Sequence, residues 1–597
     1  MKWYAAVILF LLVLLSSFVW LPTSFGVDPS GAVGVFIRAD GTVEGTNSIV
    51  RDGDVYTFVA DFVGPLYVEK HNIVVDGSGH TVTGGKGRGV VLASDVTLKN
   101  ARIVVEGGYI VDVGGLSDCV LIGNTLVGNP QPIPGLPPPK SPLVGPIGMN
   151  FFNSQRITFK DNTISNFSSG LSLEWSSGHT IIGNTFVDGF VGVDLWDTTG
   201  CVFRNNRMIN SSFSIRVYPG YSYDNDLDSS NTIDGKPIYY WLNRRDETVP
   251  SDAGYVVLVN SKNVKVENAS PRGIALVSTT SSTISRVKMT GRGDGITLLN
   301  SSGISIVDSA LHGVAIGIQV ENSWNNTISH NELSDTMTRG MNLDNASNNL
   351  ISRNTFTGNS YAIGPFQDSV SSGNVITSNL FKNNSFALTM HGSMSIQENI
   401  FENNERGILL SGSSGSIISQ NTFTNNSFAV YISASSGNSI YHNNFLNNTH
   451  DVADAGASGT QSKPAKTSSN HGSIQPASAS VSEVNFIPPP PPSTNRWDDG
   501  SKGNYWSRYT GSDANGDGVG DVAYGLYENN QDNYPLMKPV AIPQSPSLPE
   551  VTSETETELP EFPTQYFIAA LAIVALMVVC AWSFVKRRRI RRRETDR

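Results

Sequence analysis

An all-β, right-handed parallel β-helix is the fold this chain predicts, a solenoid of about 22 residues per rung. Three observations lead there. From Asn399 the sequence repeats as NIFENNERGILLSGSSGSIISQ, NTFTNNSFAVYISASSGNSIYH and NNFLNNTHDV, with the leading Asn at 399, 421 and 443. The same frame sets Asn162, Asn184 and Asn206 at one spacing, and Asn331, Asn354 and Asn379 at slightly longer ones. Each copy also holds a short alternating run (GLSLEW, VGVDLW, GILLSG, AVYIS) bounded by Gly, Asn and Ser, which reads as short strands and not as helix. Three strands and three turns then make one rung, pairing its backbone with the rungs above and below at about 4.8 Å. Asn recurring at one place would stack as a ladder that satisfies turn backbone, Asn being tolerant of left-handed geometry.

Composition agrees. Charged residues are 16%, Gly numbers 57, and the net charge of −11 with a pI near 5.3 argues against nucleic acid as partner. Cys119, Cys201 and Cys580 are scattered, so buried free thiols are expected and a disulfide framework is not. Residues 1–26 have the Lys-then-apolar pattern of a secretory signal or signal anchor. The apolar run FIAALAIVALMVVCAWSFV (567–585) is long enough to span a bilayer, within a transmembrane segment set at 563–585. The basic tail 586–597 that follows should stay cytoplasmic, leaving a single-pass cell-membrane protein with an extracellular ectodomain. Nine Asn-x-Ser/Thr sequons, from Asn166 to Asn447, agree with an exported glycoprotein.

Between the termini, the β-helix occupies 27–452, its first rung at HNIVVDGSGHTVTGG. Two excursions interrupt it: a proline-rich loop at 129–146, and 219–252. Residues 453–494 are a Ser/Pro-rich linker, 495–540 a compact module placed to cap the stack, and 541–562 an acidic stalk.

The sharpest local motif is DANGDGVGD. Asp513, Asn515, Asp517 and Asp521 place side-chain oxygens at alternate positions, the Val519 carbonyl can join them, and Gly518 permits the sharp turn, so structural Ca²⁺ is expected there. Met390, His391 and Met394 have the softness that suits Cu(I), but neighbouring rungs align no His or Cys with them, and a copper site is not expected.

A second constellation follows from the repeat. Steps of 22 from Asn150 give Ser172, Asp194 and Arg216; from Phe152 they give Glu174, Trp196 and Tyr218. Both rows should face outward, because Leu171, Leu173, Val193, Leu195, Ile215 and Val217 beside them are apolar. Trp175 and Asp197 lie one residue further, at the turn. Aromatic faces beside carboxylates suit a sugar ring, and acids on adjacent rungs fall within the separation of retaining glycosidases. Equally, the aromatics can pack beneath overlying loops and the acids can pair with Arg216.

IRADGTVEGT (37–46), NIVVDGSGHTVTGG (72–85), IDGKPIYYWLN (233–243) and the NxF rungs resemble the NosD-like family, of the carbohydrate-binding and sugar-hydrolase class of β-helix repeats. Residues 495–539 resemble the closing segment of that family's archaeal surface members. The resemblance implies a right-handed β-helix, export, and an envelope role in sugar binding or matrix structure. The family takes its name from a copper-related assembly factor for nitrous oxide reductase, and no matching ligand set is present. PEF at 560–562 resembles a sorting signal whose tail is replaced by a lipid. The Gly-His-Gly with Arg-x-Lys of polygalacturonases and the Asp-Pro-His of alginate epimerases are missing.

The expected function is therefore a membrane-anchored, non-catalytic binder or organiser of extracellular polysaccharide through Glu174, Trp175, Asp194, Trp196, Asp197, Arg216 and Tyr218. The alternatives are a polysaccharide lyase or glycoside hydrolase using Glu174, Asp194, Asp197 and Arg216, and a structural surface-layer or adhesion protein.

Overall fold

The computed structural model describes residues 34–542 apart from 86, 129–145, 217–222, 292, 367–368, 458–490 and 529. The signal-like 1–26, nearly all of the proline-rich excursion, most of the linker, the stalk, the apolar run 567–585, Cys580 and Tyr218 lie outside them. Among the described residues no helix is long and apolar enough to cross a membrane.

Every regular element is a strand, and nearly all pair in parallel with strands one rung away, which makes a right-handed parallel β-solenoid of about 22 residues per turn. Each rung supplies one longer strand and two of about three residues. Alternate side chains enter the core; in Ser169–Glu174, for instance, Leu171 and Leu173 are buried while Ser172 and Glu174 face out.

The expected Asn ladder is present. Asn162 donates its backbone N–H and Nδ2 to Oδ1 of Asn184 (2.9 and 3.0 Å), and Nδ2 also reaches the Leu121 carbonyl at 2.9 Å. Asn184 does the same to Asn206, and the pattern recurs from Asn331 through Asn443 to Asn504. Each amide thus satisfies a buried N–H and a buried C=O of the preceding rung and donates onward to the next Asn side chain. The left-handed residue is the one before each ladder Asn, not the Asn itself: Asp161, Asn205, His330, Arg353, Gln420 and His442 have φ between 54° and 57°. The Asn is present for its hydrogen bonds, and its ladder holds the preceding residue in that turn.

The solenoid does not run as one stack interrupted by a loop. Residues 226–242, expected inside an excursion, form a reversal. Thr232–Ile233, the last strand of one short-strand sheet, turns through Asp234 and Gly235 and pairs antiparallel with Lys236–Leu242. Lys236–Leu242 then begins the long-strand sheet of a second solenoid, pairing in parallel with Tyr255–Val259. The tight Asp-Gly turn is what permits the reversal. The first solenoid's long-strand sheet stops at Ser212–Arg216, while the second continues to His450–Asp454.

The two stacks share a wall. Tyr255–Val259 (YVVLV) and Gly273–Val277 (GIALV) are buried on both faces. Tyr255, Val257, Val259, Ala275 and Val277 pack in the first core, and Val256, Leu258, Ile274 and Leu276 in the second. Unbroken apolar runs are what a strand covered on both sides requires.

Residues 491–542 close the far end as a continuation of the stack. Inside, Phe356, Phe381, Phe401, Phe423 and Phe445 stack rung on rung with centroids 4.8–5.0 Å apart, and Trp506 extends the pile at 4.3 Å. Asn504 ends its ladder on Asp532, whose Oδ2 accepts from the Asn504 N–H (2.7 Å) and Trp506 Nε1 (2.8 Å). The Asn438 ladder passes likewise through Asn495 to Asn530.

Replacing Asn421 by Ala leaves the Asn399 backbone N–H without its acceptor and the Ile396 carbonyl without the Asn421 Nδ2 donor. The expected cost is about 3 kcal/mol, from buried groups left unpaired. Urea unfolding measures it, and an unchanged midpoint refutes the ladder's energetic role.

Candidate functional site

The outward row on the last strands of the first solenoid forms, with one change of register. Ser172 sits beside Asp194, and Glu174 beside Trp196. A bulge between Val191 and Val193 then shortens the next rung, so that Asp194 meets Ser214 and Trp196 meets Arg216. Constant steps of 22 had set Arg216 beside Asp194; the bulge moves it by one outward position. Its long side chain still reaches back, Nη2 lying 3.5 Å from Asp194 Oδ2 and Cζ 5.4 Å from the Trp196 ring centre. Asp194 is 7% exposed, and its Oδ1 has no hydrogen-bond partner.

Trp175 and Asp197 occupy left-handed turn positions on successive rungs, with φ of 49° and 50°. Trp175 Nε1 donates to Asp197 Oδ2 at 3.2 Å, and its exposed ring packs on Phe152 at 5.2 Å. This pair lies at the turn edge of the row.

What closes the site comes from the second solenoid. A cleft of about 520 Å³ lies in the elbow, with Trp196, Ser214, Ile215 and Arg216 on one side. Tyr255, Asp294, Thr297, Leu299, Ile316, Gln319, Glu321 and Phe366 form the other side. The Tyr255 ring packs on Phe213 at 5.3 Å and its hydroxyl lies 3.5 Å from Asp294 Oδ2. Asp294 is the most perturbed acid here: burial, then the charge of Asp194, raise it to about 7, against the opposing pull of Arg216 and Tyr255. Burial and Asp294 likewise raise Tyr255 well above an ordinary phenol. Burial, then Asp194, also raises Glu174, and burial raises Glu321, which accepts from Gln319 Nε2 at 2.9 Å. A carboxylic acid raised to about 7, as Asp294 is, facing an arginine and aromatic rings, can exchange protons or hydrogen bonds with a polar ligand. Tyr255, Asp294, Glu321 and Phe366 escape repeat arithmetic, because no multiple of 22 crosses the antiparallel reversal.

In the loop expected to hold calcium, the side-chain oxygens accept loop N–H groups. Both oxygens of Asp513 accept loop N–H groups, from Asp517 (3.1 Å) and Gly518 (3.0 Å). Asn515 Oδ1 accepts from the Asp517 N–H, Asp517 Oδ1 from the Val519 N–H, and Asp521 Oδ2 from the Ala514 N–H. Among the described residues no three His, Cys, Asp or Glu side chains are gathered to hold a metal.

Softer donors are also placed against copper. Met390 and Met394 are core side chains. Cys119 and Cys201 are buried free thiols. His179 and Cys201 occupy adjacent rungs, but His179 Nδ1 accepts the Ile157 N–H and Cys201 Sγ the His179 N–H. Burial lowers His179 to about 4 and raises the Cys201 thiol to about 11. These residues do not fit a copper ion.

Ionisation of Asp294 works against the fold. Between its ordinary value of 3.8 and about 7 the native state holds the proton that the unfolded chain has lost, so stability falls as pH rises through that window. Asp294→Asn is expected to stabilise the protein at pH 8 and to have little effect at pH 4, read from urea midpoints. An equal shift at both pH values contradicts a protonated Asp294.

The chain matches two family descriptions that meet at the reversal. Residues 33–208 and 143–245 match "Right handed beta helix region", and 242–395 and 385–474 match "Periplasmic copper-binding protein (NosD)". No curated protein matches. Similar solved structures include the A-module of the Azotobacter vinelandii mannuronan C-5 epimerase AlgE6, at 11% identity over 60% of this chain and 91% of that one, TM-score 0.19. The Streptococcus pneumoniae surface adhesin PfbA has 14% identity over 64% and 86%, TM-score 0.21. A mannuronic acid-specific polysaccharide family 6 lyase from human gut microbiota has 12% over 63% and 81%, TM-score 0.24. At such identities and scores they carry nothing about this chain's activity. Both descriptions, matched in tandem along this parallel β-helical chain, support a NosD-like parallel β-helix family.

Proposed function

We propose that this protein binds polysaccharide in the elbow cleft, at the outer surface of a cell membrane to which its apolar C-terminal run anchors it. The observation that carries the binding reading is the cleft's lining: Trp196, Tyr255 and Phe366 offer ring surface, while Asp294, Arg216, Gln319 and Glu321 converge as hydrogen-bonding groups, with Asp194 paired to Arg216 behind them. A pyranose presents a C–H face to aromatic rings and hydroxyls at its rim, which is the complement of this lining. The buried Asp194 Oδ1, without a hydrogen bond, suits a ligand hydroxyl as donor.

A second reading is favoured by one observation. Asp294, titrating near 7 beside the Asp194–Arg216 pair, has the proton affinity of a general acid or base at neutral pH. A glycoside hydrolase or polysaccharide lyase would use such a group, with Arg216 steadying negative charge on the substrate.

A glycan panel on the full chain separates the two. Binding without product, weakened about tenfold or more by Trp196→Ala, is expected for recognition alone. Product release that stops in Asp294→Asn while binding persists establishes the enzyme. Failure of every polysaccharide to bind removes both readings.

A further inference from the structure

The cleft opens onto a ribbon along the second solenoid. At one outward position of its long-strand sheet, successive rungs present Ile316, Arg339, Tyr361, Phe386, Arg406 and Phe428. All are half-buried. Tyr361 and Phe386 stack at 4.6 Å and 8°, and His450 continues the row by stacking on Phe428 at 4.8 Å. Each arginine lies between two rings. Arg339 Cζ is 4.3 Å from the Tyr361 centroid and 4.7 Å from that of Phe366; Arg406 Cζ is 4.8 Å from both Phe386 and Tyr431.

These cations are unusual for where they are. The chain has 52 acidic against 41 basic residues, yet among the described residues no carboxylate lies within 4 Å of either guanidinium. Nε and Nη1 of Arg339 and Nε of Arg406 are buried without a hydrogen bond. Rings packed against a guanidinium leave its N–H edge as the place for an anion, and a partly desolvated cation attracts one strongly. The two arginines are three rungs apart, roughly 14 Å at the parallel-strand spacing. An extended pyranose chain advances by about one such spacing per sugar, so rings and cations can repeat in step with it. Phe366 belongs to both features, walling the cleft and covering Arg339, and Ile316 begins the row inside the cleft.

We propose that the ribbon binds an acidic linear polysaccharide, a polyuronate, lying along the solenoid axis with its carboxylates on Arg339 and Arg406 and one end in the cleft. This rests on the glycan reading of the cleft and narrows it to a charge class. A nucleic acid strand would also meet rings and arginines, but the net charge of −11 disfavours it.

The test uses the full chain with oligogalacturonate and oligomannuronate, each beside its methyl ester, so that only the charge changes. The acid forms are expected to bind more tightly and to weaken as salt rises, which needs no mutation to observe. The double variant Arg339→Gln, Arg406→Gln is expected to lose at least tenfold for the acid forms with ester binding unchanged, its unfolding midpoint followed alongside. Equal binding of acid and ester, or indifference to salt, overturns the polyuronate proposal while leaving polysaccharide recognition in place. Absence of binding to every polysaccharide overturns both, and tighter binding of a single-stranded oligonucleotide overturns the proposal in favour of the other polymer.

Discussion

Hydrogen bonds from one rung to the next hold this structure, and the buried asparagine amide is their most demanding instance. A solenoid rung cannot bury its apolar face or pair its backbone alone; it depends wholly on its neighbours. Strand backbone pairs automatically, but the turns would leave buried N–H and C=O groups stranded. One amide per turn answers this, with Oδ1 accepting from the rung before and Nδ2 reaching both backward and onward. The requirement is uniform along the stack, and so the residue is too. At its end the series passes to Asp532, a carboxylate that accepts without having to donate onward, and burial raises the pKa of that acid. The aromatic pile obeys the same logic inside the core: Phe above Phe until Trp506 covers the last ring.

The cleft exists because the stack is broken once. Had the first solenoid simply continued, Ser212–Arg216 would have been covered by another strand, and Asp194, Trp196 and Arg216 would lie on an open sheet with water over them. The Asp234–Gly235 turn instead reverses the chain, and the second solenoid presents a strand face to the exposed end of the first. The two stacks meet where Val257, Val259, Ala275 and Val277 pack into the first core. In the cleft beside that wall Asp294 has lost water without gaining a full partner, and its burial and the charge of Asp194 raise it. The same geometry lets Phe366 and Ile316 join the cleft to the arginine-aromatic row.

Repeat arithmetic located part of this site because strand periodicity and rung length are local properties. It set Glu174, Trp196 and Asp194 on one outward face, as found. It misplaced Arg216 by one outward position, since the bulge after Val191 changes the residue count of a single rung. Trp175 and Asp197 were legible as turn neighbours, and their hydrogen bond follows from successive rungs sharing a turn. The acidic loop from Asp513 to Asp521 was legible as alternating oxygens, and in the structure those oxygens accept loop N–H groups.

The sequence by itself determined the β-solenoid, its rung length, the asparagine ladders and which side chains face outward. Each of these depends on residues one strand or one rung apart, where spacing along the chain is spacing in space. Only the tertiary structure decided that there are two solenoids, that YVVLV and GIALV serve two cores at once, and that Asp294 and Tyr255 face Arg216 and Trp196. Those relations join residues through an antiparallel reversal, which leaves no period in the sequence.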